Sequence, residues 1–442
     1  MEKIFYLVSL GCPKNLVDSE VMAAKLLMDG WRITADAAQA SLYLINTCAF
    51  LPSARREAEE AIRTAIRWKR RRIGRRIIVA GCLSERLRGS NAAEVYPQVD
   101  LFLRVDAIPQ LPEILRSGFQ PPAGGEPCFL ADHTMPRLLL TVPSTAYLKI
   151  ADGCNNRCAY CAIPLIRGGL RSRPAASVLT EARALVEGGV KELVVIAQDI
   201  TAYGHDRRES GDNIADLLRG LAAIDGDFRI RLLYTHPAHY TEAFIETVAT
   251  VKKIVPYLDI PLQHISDRIL KAMGRHVTRE ETESLLDRLR DRIPGLVLRT
   301  TFIAGLPGET EAEFAELCDF VTRRRFDRCG VFTYAAEPGT PAAAMPDQVP
   351  NPVAEERAAR LMELQKPIME ACNRAWIGRR DRVLIDRIEK GRAWGRGTPD
   401  APDIDGGIEI SGVKGLKCGR FCDIVVTDAD AYSLSGRPVR KP

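Results

Sequence analysis

The sequence lacks several features that would assign it to a membrane or to an export pathway. No apolar run reaches the roughly 18 residues that a membrane-spanning helix requires. The first apolar run ends at Gly11 and Cys12 and is not followed by the cleavage region of a signal peptide. The sequence also lacks a large excess of charge of one sign, since it has 62 basic and 57 acidic residues and a net charge of only +5. We therefore expect a cytoplasmic protein with no membrane partner, and the charge alone does not indicate a nucleic-acid binder.

The length and the cysteine content indicate what the chain can build. A chain of 442 residues is long enough for two or three domains, and a hydrophobic content of 46% suffices for ordinary cores. It contains twelve cysteines, although it lacks an export signal. That combination predicts thiols that are kept reduced for metal binding.

Three cysteines lie close together at Cys154, Cys158 and Cys161, and we call residues 153–162 the cluster loop. A structural zinc site is the alternative, but such sites usually pair two Cys-x-x-Cys knuckles or combine cysteine with histidine. No second knuckle lies nearby. A [4Fe–4S] cluster normally takes four thiolates, so three would leave one iron open to another ligand. We predict such a cluster here.

Three further cysteines, Cys12, Cys48 and Cys82, each follow a short apolar run with strand character, and we call them the strand-end cysteines. Helix-like segments follow at least the first two, and alternating strands and helices predict a parallel sheet. Because ligands gather at the carboxyl ends of parallel strands, the three thiols are expected to meet and to hold a second cluster. Buried cysteines can also act only as small hydrophobic residues. We expect that of three others: Cys318, Cys329 and Cys372.

The two cysteine sets, in this order, resemble the methylthiotransferases of the radical S-adenosylmethionine superfamily, essentially from end to end. Tyr160, directly before the last cysteine of the cluster loop, completes the superfamily pattern. The resemblance implies two [4Fe–4S] clusters and S-adenosylmethionine as cofactors. The cluster-loop site would start radical chemistry on an unactivated carbon, and sulfur would arrive at or from the strand-end cysteines. The cofactors carry the hard chemistry, and the protein positions and shields them.

Four segments follow one another along the chain. Residues 1–117 predict a parallel α/β domain, and residues 118–143, with five prolines and three glycines, predict a linker. Residues 144–372 contain six strand–helix units, too few for a closed eight-unit barrel, and the resemblance implies an open three-quarter (β/α)6 barrel. Residues 373–442 predict a small antiparallel β-barrel that resembles a TRAM domain, a module that usually binds RNA. The fold class is therefore α/β with a small β-barrel at the end.

The six candidate barrel strands locate the active site, because barrel enzymes place it at the carboxyl ends of their strands. They are residues 147–150, 193–197, 230–234, 258–261, 297–303 and 330–334. By resemblance, Gln198 after the second strand is expected near the methionine portion of S-adenosylmethionine, and Gly305 after the fifth near the adenine. His236 and His264 also follow strands, and either a substrate-lining role or a polar rim position fits them.

Two substrates divide the family, an adenosine in transfer RNA and an aspartate of small-subunit ribosomal protein twelve. Gln-Asp-Ile-Thr at 198–201 departs from the Gln-Asn-Val-Asn of the transfer-RNA branch, and Pro-Leu-Gln-His at 261–264 fits the ribosomal-protein branch. Residues 399–405 hold three aspartates that we expect on an exposed loop facing a basic partner. We therefore predict methylthiolation of the aspartate β-carbon, with the transfer-RNA reaction as the alternative.

The resemblance and the charge pattern also predict partners. The ribosomal protein would be met free or in the ribosome, and a flavodoxin or ferredoxin would supply electrons to what we expect to be a monomer. RNA is a further candidate partner. Ten basic residues crowd the helix and turn at 55–76, which predicts either a solvated helix face or a docking patch for an anion such as ribosomal RNA.

Overall fold

The computed structural model describes residues 2–87, 92–119 and 129–439. Cys128 lies outside the described residues. The chain folds into two compact units. The first comprises Met1–Leu140, Ala151–Asn155 and Cys161–Arg173, and the second comprises Thr141–Ile150, Asn156–Tyr160 and Pro174–Pro442. The predicted domain boundaries at residues 117, 143 and 372 stay predictions.

The described residues form strands and helices along the whole chain. The strands are β1 (Ile4–Ser9), β2 (Arg32–Ile33), β3 (Leu42–Thr47), β4 (Arg76–Gly81), β5 (Leu101–Leu103), β6 (Thr145–Lys149), β7 (Ala151–Asp152), β8 (Arg171–Ser172), β9 (Glu192–Ile196), β10 (Arg229–Leu232), β11 (Tyr257–Gln263), β12 (Val297–Ala304), β13 (Arg328–Thr333), β14 (Arg380–Glu389), β15 (Arg392–Arg396), β16 (Ile408–Ile410), β17 (Phe421–Ala429) and β18 (Leu434–Pro438). The helices are α1 (Pro13–Met28), α2 (Pro52–Lys69), α3 (Cys82–Arg86), α4 (Ala92–Val95), α5 (Leu111–Arg116), α6 (Ile163–Arg167), α7 (Ala175–Glu187), α8 (Ile214–Ala222), α9 (Glu242–Thr250), α10 (Asp267–Ala272), α11 (Arg279–Arg292), α12 (Glu311–Arg324) and α13 (Asn351–Arg374). None of these helices is both long enough and apolar enough to cross a bilayer.

The first unit is built on a five-stranded parallel sheet in the order β2-β1-β3-β4-β5. All six residues of β3 are buried, as expected for a central parallel strand with both faces covered. Proline at the start of α1 and of α2 suits the first helical turn, where its missing N–H is not needed. The antiparallel pair of β7 and β8, together with α6, completes this unit. The predicted parallel α/β domain is confirmed.

The second unit contains six parallel barrel strands in two sheets, β10-β9-β6 and β11-β12-β13. The end of β10 is tied to β11 by the Thr235 amide, which donates to the Asp259 carbonyl at 3.0 Å. All six strands lie where the sequence predicts them, and helices follow them in alternation. The predicted barrel of six strand–helix units is therefore confirmed.

A closed five-stranded barrel ends the second unit, in the order β14-β15-β16-β18-β17. Every neighbouring pair is antiparallel except β16 and β18, which are parallel. An odd number of strands cannot alternate in direction all the way round a closed barrel, so one parallel pair is required. The predicted small β-barrel is confirmed with that one correction.

The aspartates of residues 399–405 do not form the exposed loop that the sequence predicts. Asp400 is only 1% exposed and accepts a hydrogen bond from the Gly397 amide. The Arg328 guanidinium lies 3.7 Å from Asp400 and 3.8 Å from Asp405, and the Tyr257 hydroxyl donates to Asp405 at 2.8 Å. Asp403 is exposed but still accepts from Tyr147. The prediction of a solvated acidic loop without an internal ion partner is therefore wrong.

One buried carboxylate joins the terminal barrel to the six-strand barrel within the second unit. Glu192 accepts from Nε of Arg229 and of Arg231, each at 2.9 Å, and also pairs with Arg396. The two β10 arginines in turn donate to the backbone carbonyls of residues 396–398. Three cations around one carboxylate would repel each other unless further acceptors surrounded them, and these carbonyls supply such acceptors.

Candidate functional site

The strand-end cysteines meet at one edge of the first unit's sheet. Cys12 precedes α1, Cys48 follows β3 and Cys82 begins α3 directly after β4, so they follow three neighbouring parallel strands. The three thiols are close enough for Cys12 and Cys48 each to raise the pKa of Cys82. The structure thus brings together the residues that the sequence predicts to meet.

Two glycines make this approach of the strand ends possible. Gly11 and Gly81 both have positive φ values, +95° and +89°. A Cβ on Gly11 would lie 2.7 Å from the Cys48 Cβ, and one on Gly81 would lie 2.5 Å from the Thr47 carbonyl oxygen. Any larger residue would therefore push the strand-end cysteines apart.

A buried arginine from α6 lies beside these thiols. Arg167 is 2% exposed, and its Nη1 is 2.8 Å from the Asp18 carboxylate and 3.2 Å from that of Asp152. Its Nη2 donates to Asn15 at 2.5 Å and to the Cys82 sulfur at 3.5 Å. All five residues belong to the first unit.

The donor set has the chemistry that an iron–sulfur cluster takes, three thiols with a cationic N–H donor beside one of them. Burial raises the pKa of the Cys82 thiol to about 12, although the Arg167 charge acts in the opposite direction. A buried thiolate therefore needs a positive partner, which a bound metal provides. The N–H of Arg167 toward sulfur is the kind of hydrogen bond that tunes cluster thiolates. Three free thiols with such a donor are consistent with the predicted ligand role.

The cluster loop is held at both of its ends by backbone contacts, each within one unit. In the first unit, the Cys154 amide donates to the Gly168 carbonyl at 3.1 Å. In the second unit, the Ala159 amide donates to the Met273 carbonyl at 2.8 Å, and Arg275 Nη1 lies 3.8 Å from the Cys158 sulfur. Each cysteine of the loop has intermediate exposure, so a bound group could reach its sulfur.

The carboxyl ends of β9 and β10 carry a polar cluster centred on Asp199. Its Oδ2 accepts from Asn156 Nδ2 of the cluster loop and from His239 Nδ1, both at 2.8 Å. The His236 ring stacks on that of His239 with centroids 5.0 Å apart. Asp199 thus joins the cluster loop to the segments that follow two barrel strands.

Other residues predicted for this face have definite positions. Tyr160 packs against the apolar group that includes Met273 and Leu306, and Gln198 follows β9 with intermediate exposure. A Cβ on Gly305 would collide with Ala354 of α13, so this glycine has a packing reason beside its predicted cofactor role. His264 is completely buried, 3.6 Å from Glu309, and therefore is not a polar rim residue. The cofactor roles of these residues stay predictions.

The sequence placed Asp199 after the second barrel strand but did not show that it contacts the cluster loop. Three other residues of the two sites were missed: Arg167, His239 and Arg275. Position after a strand was a signal for Asp199, which directly follows Gln198. For the arginines no local pattern exists, because their partners lie far away in sequence.

Family models match three parts of the chain. The model described as an uncharacterized protein family, UPF0004, matches residues 4–104, the Radical SAM superfamily model matches 148–321 and the TRAM domain model matches 377–439. Three proteins named ribosomal protein uS12 methylthiotransferase RimO are similar over nearly the full length. The protein from Heliobacterium modesticaldum is 43% identical, covering 99% of this chain and 95% of that one. Those from Pelotomaculum thermopropionicum and Geobacter sulfurreducens are 44% and 43% identical, with 98% and 97% of both chains covered.

Solved structures share the fold at low sequence identity. The radical S-adenosylmethionine methyltransferase TsrM from Kitasatospora setae, solved with cobalamin and a [4Fe–4S] cluster, aligns with a TM-score of 0.56 at 15% identity. That alignment covers 95% of this chain and 84% of that one. The cobalamin-dependent radical enzyme OxsB aligns with a TM-score of 0.52 at 14% identity, over 84% and 56% of the two chains. These likenesses concern the fold alone.

Proposed function

The chain belongs to the family of ribosomal protein uS12 methylthiotransferases, and from this premise we propose that it attaches a methylthio group to an aspartate of uS12. The observation that carries the proposal is the meeting of Cys12, Cys48 and Cys82 at one sheet edge, in a chain that also holds the three-cysteine cluster loop. Full-length similarity at 41–44% identity supports the ribosomal-protein branch rather than the transfer-RNA branch.

The proposed cofactors are two [4Fe–4S] clusters and S-adenosylmethionine. Cys154, Cys158 and Cys161 would hold the first cluster, and the strand-end cysteines would hold the second. When bound, these groups supply the one-electron and sulfur chemistry that no side chain can perform. Tyr160, Gln198 and Gly305 are proposed to contact S-adenosylmethionine, on the strength of their places in the superfamily pattern.

The chain's own residues would bind, orient and shield these cofactors. Arg167 places a positive charge and an N–H beside the Cys82 sulfur, which favours the thiolate over the thiol. Asp199 fixes Asn156 and thereby the conformation of the cluster loop within the second unit. Burial of Arg275 beside Cys158 provides the same kind of donor at the other proposed cluster.

Partners beyond the substrate are also part of the proposal. Clusters that receive electrons need a donor, and a flavodoxin or ferredoxin has suitable chemistry. We propose a cytoplasmic monomer that meets uS12 free or within the ribosome, and RNA contact through the terminal barrel. On α2, Arg63 and Arg67 already pair with Glu59 and Glu60, which favours a largely solvated helix face.

The proposal is tested by iron content and by cleavage of S-adenosylmethionine. Anaerobically reconstituted protein should hold about eight irons, four for each cluster. Replacing Cys154, Cys158 and Cys161 with alanine should remove about half of the iron and abolish release of 5′-deoxyadenosine. Replacing the strand-end cysteines should remove the other half, spare cleavage and abolish sulfur insertion.

A matched control is the replacement of Cys318, Cys329 and Cys372, which should leave the iron content unchanged. Zinc in place of iron would contradict the cluster assignment. Methylthiolated product from the strand-end variant would show that sulfur does not pass through that site.

A further inference from the structure

Arg275 is a buried cation, and no carboxylate among the described residues forms an ion pair with it. It is 4% exposed, its Nη2 donates to the Pro261 carbonyl at 2.5 Å and its Nη1 faces the Cys158 sulfur. Its Nε has no hydrogen-bond partner among the described residues. A buried charge with an unused donor is costly, and ligand binding is one way in which that cost is offset.

His236 presents a second unused donor. Its ring stacks on His239, which is linked through Asp199 to Asn156 of the cluster loop, two residues before the Cys158 that Arg275 faces. Its Nδ1 accepts a hydrogen bond from the Ala238 amide at 3.2 Å, so the proton of the neutral ring is on Nε2. Burial and then the charge of Arg275 lower the pKa of His236 to about 2, which keeps the ring neutral. The Nε2–H is buried and lacks a partner in the part of the chain that the structure describes.

The neighbouring carboxylate cannot satisfy these donors. Asp199 already accepts five hydrogen bonds, two from Thr201, one from the Ala202 amide, one from Asn156 and one from His239. With both oxygens occupied, Asp199 is also unavailable to an incoming ammonium group. The site therefore suits a ligand that only accepts hydrogen bonds, rather than the paired amino and carboxylate groups of a free amino acid.

We propose that His236 Nε2 and Arg275 Nε bind the side-chain carboxylate of the aspartate that the enzyme modifies. This rests on the proposed function and names the residues that select its substrate. A carboxylate held here lies beside the cluster loop, because Arg275 also faces Cys158 and Asp199 holds Asn156. The pair would distinguish aspartate from asparagine, since an amide offers one acceptor oxygen without the negative charge.

The test is equilibrium binding of uS12 to the reconstituted protein with S-adenosylmethionine and no reductant. Two forms of uS12 are compared, one natural and one with the target aspartate replaced by asparagine. His236→Phe keeps a ring against His239 but removes the N–H, and it should reduce the preference for aspartate about tenfold or more. His236→Gln, whose amide can donate in place of Nε2, should retain most of the preference. His205→Leu, an exposed histidine beside His239, is the matched control and should retain all of it.

Affinity for S-adenosylmethionine should stay within about threefold in every variant, because the hydrogen bonds that a variant loses are bonds to uS12. An unchanged preference in His236→Phe overturns the proposal. If that variant instead loses S-adenosylmethionine affinity, the site serves the methionine carboxylate and the proposal is equally overturned. Failure of the wild-type protein to bind either form of uS12 would overturn the proposed function itself. This outcome differs from failure of the present inference, because it is seen in the wild-type protein and not only in a variant.

Discussion

At the scale of residues, the first unit depends on one arginine that serves two carboxylates and a thiol. Arg167 contacts Asp18, Asp152 and Cys82, and every one of these side chains is buried. Its value is therefore structural before any cluster binds, since removing it would take a cation away from two buried carboxylates.

We expect Arg167→Met to lower the free energy of unfolding of the protein without iron by about 3–5 kcal/mol, the usual cost of breaking a buried ion pair from one side. Denaturant unfolding measures it. The control is Arg63→Met on α2, whose exposed pair with Glu59 should contribute no more than about 1 kcal/mol. Equal losses in the two variants would contradict the structural role of Arg167.

At this scale, the sequence predicted those residues whose spacing alone indicates a metal-binding role. The three cysteines of the cluster loop lie within eight residues, and the strand-end cysteines share a position after a strand. It failed for Arg167, which lies 152 residues from Asn15 in sequence, and for Asp400, whose burial depends on Arg328. Contacts of this kind are fixed by tertiary packing, for which a local pattern gives no sign.

At the scale of elements, strand β9 contributes the residue that organises the second unit. Burial raises the pKa of Glu192, but the charges of Arg229, Arg396 and Arg231 outweigh burial and hold the pKa below its ordinary range. A depressed carboxyl pKa contributes stability above the unfolded value of about 4.3 and loses it as the pH falls toward the folded value.

Glu192→Gln should therefore destabilise the protein by a constant amount between about pH 8 and pH 5, and the difference from wild type should shrink below about pH 4. Unfolding curves at a series of pH values measure it. A difference that grows as the pH falls would mean that the carboxyl is not stabilised in its charged form.

The loop at 396–405 gives a second prediction at this scale. Asp405 accepts from Tyr257 and from the Ala401 amide, so Asp405→Asn should cost about 1–3 kcal/mol of stability. Asp423→Asn, at an exposed position of β17, should change stability by no more than about 0.5 kcal/mol. Equal stability of the two variants would restore the solvated acidic loop that the sequence predicts.

At the scale of the whole molecule, hydrophobic runs and their spacing predicted the strands and helices well, and the family resemblance implied the barrel that they build. All six barrel strands and the parallel order of the first sheet follow from local periodicity, because buried strands and amphipathic helices differ in period. The sequence did not predict which segments make up each unit. Residues 161–173 join the first unit although they follow the first barrel strand in sequence. Which segments pack together is decided by core complementarity over long sequence distances.

As a member of the uS12 methylthiotransferase family, this chain should methylthiolate uS12. The direct measurement is the mass of uS12 after incubation with the reconstituted protein, S-adenosylmethionine and a reductant. One methylthio group should replace one hydrogen, on an aspartate, and the strand-end triple variant should give no such product. Unmodified uS12 beside methylthiolated transfer RNA under the same conditions would contradict this assignment of the substrate.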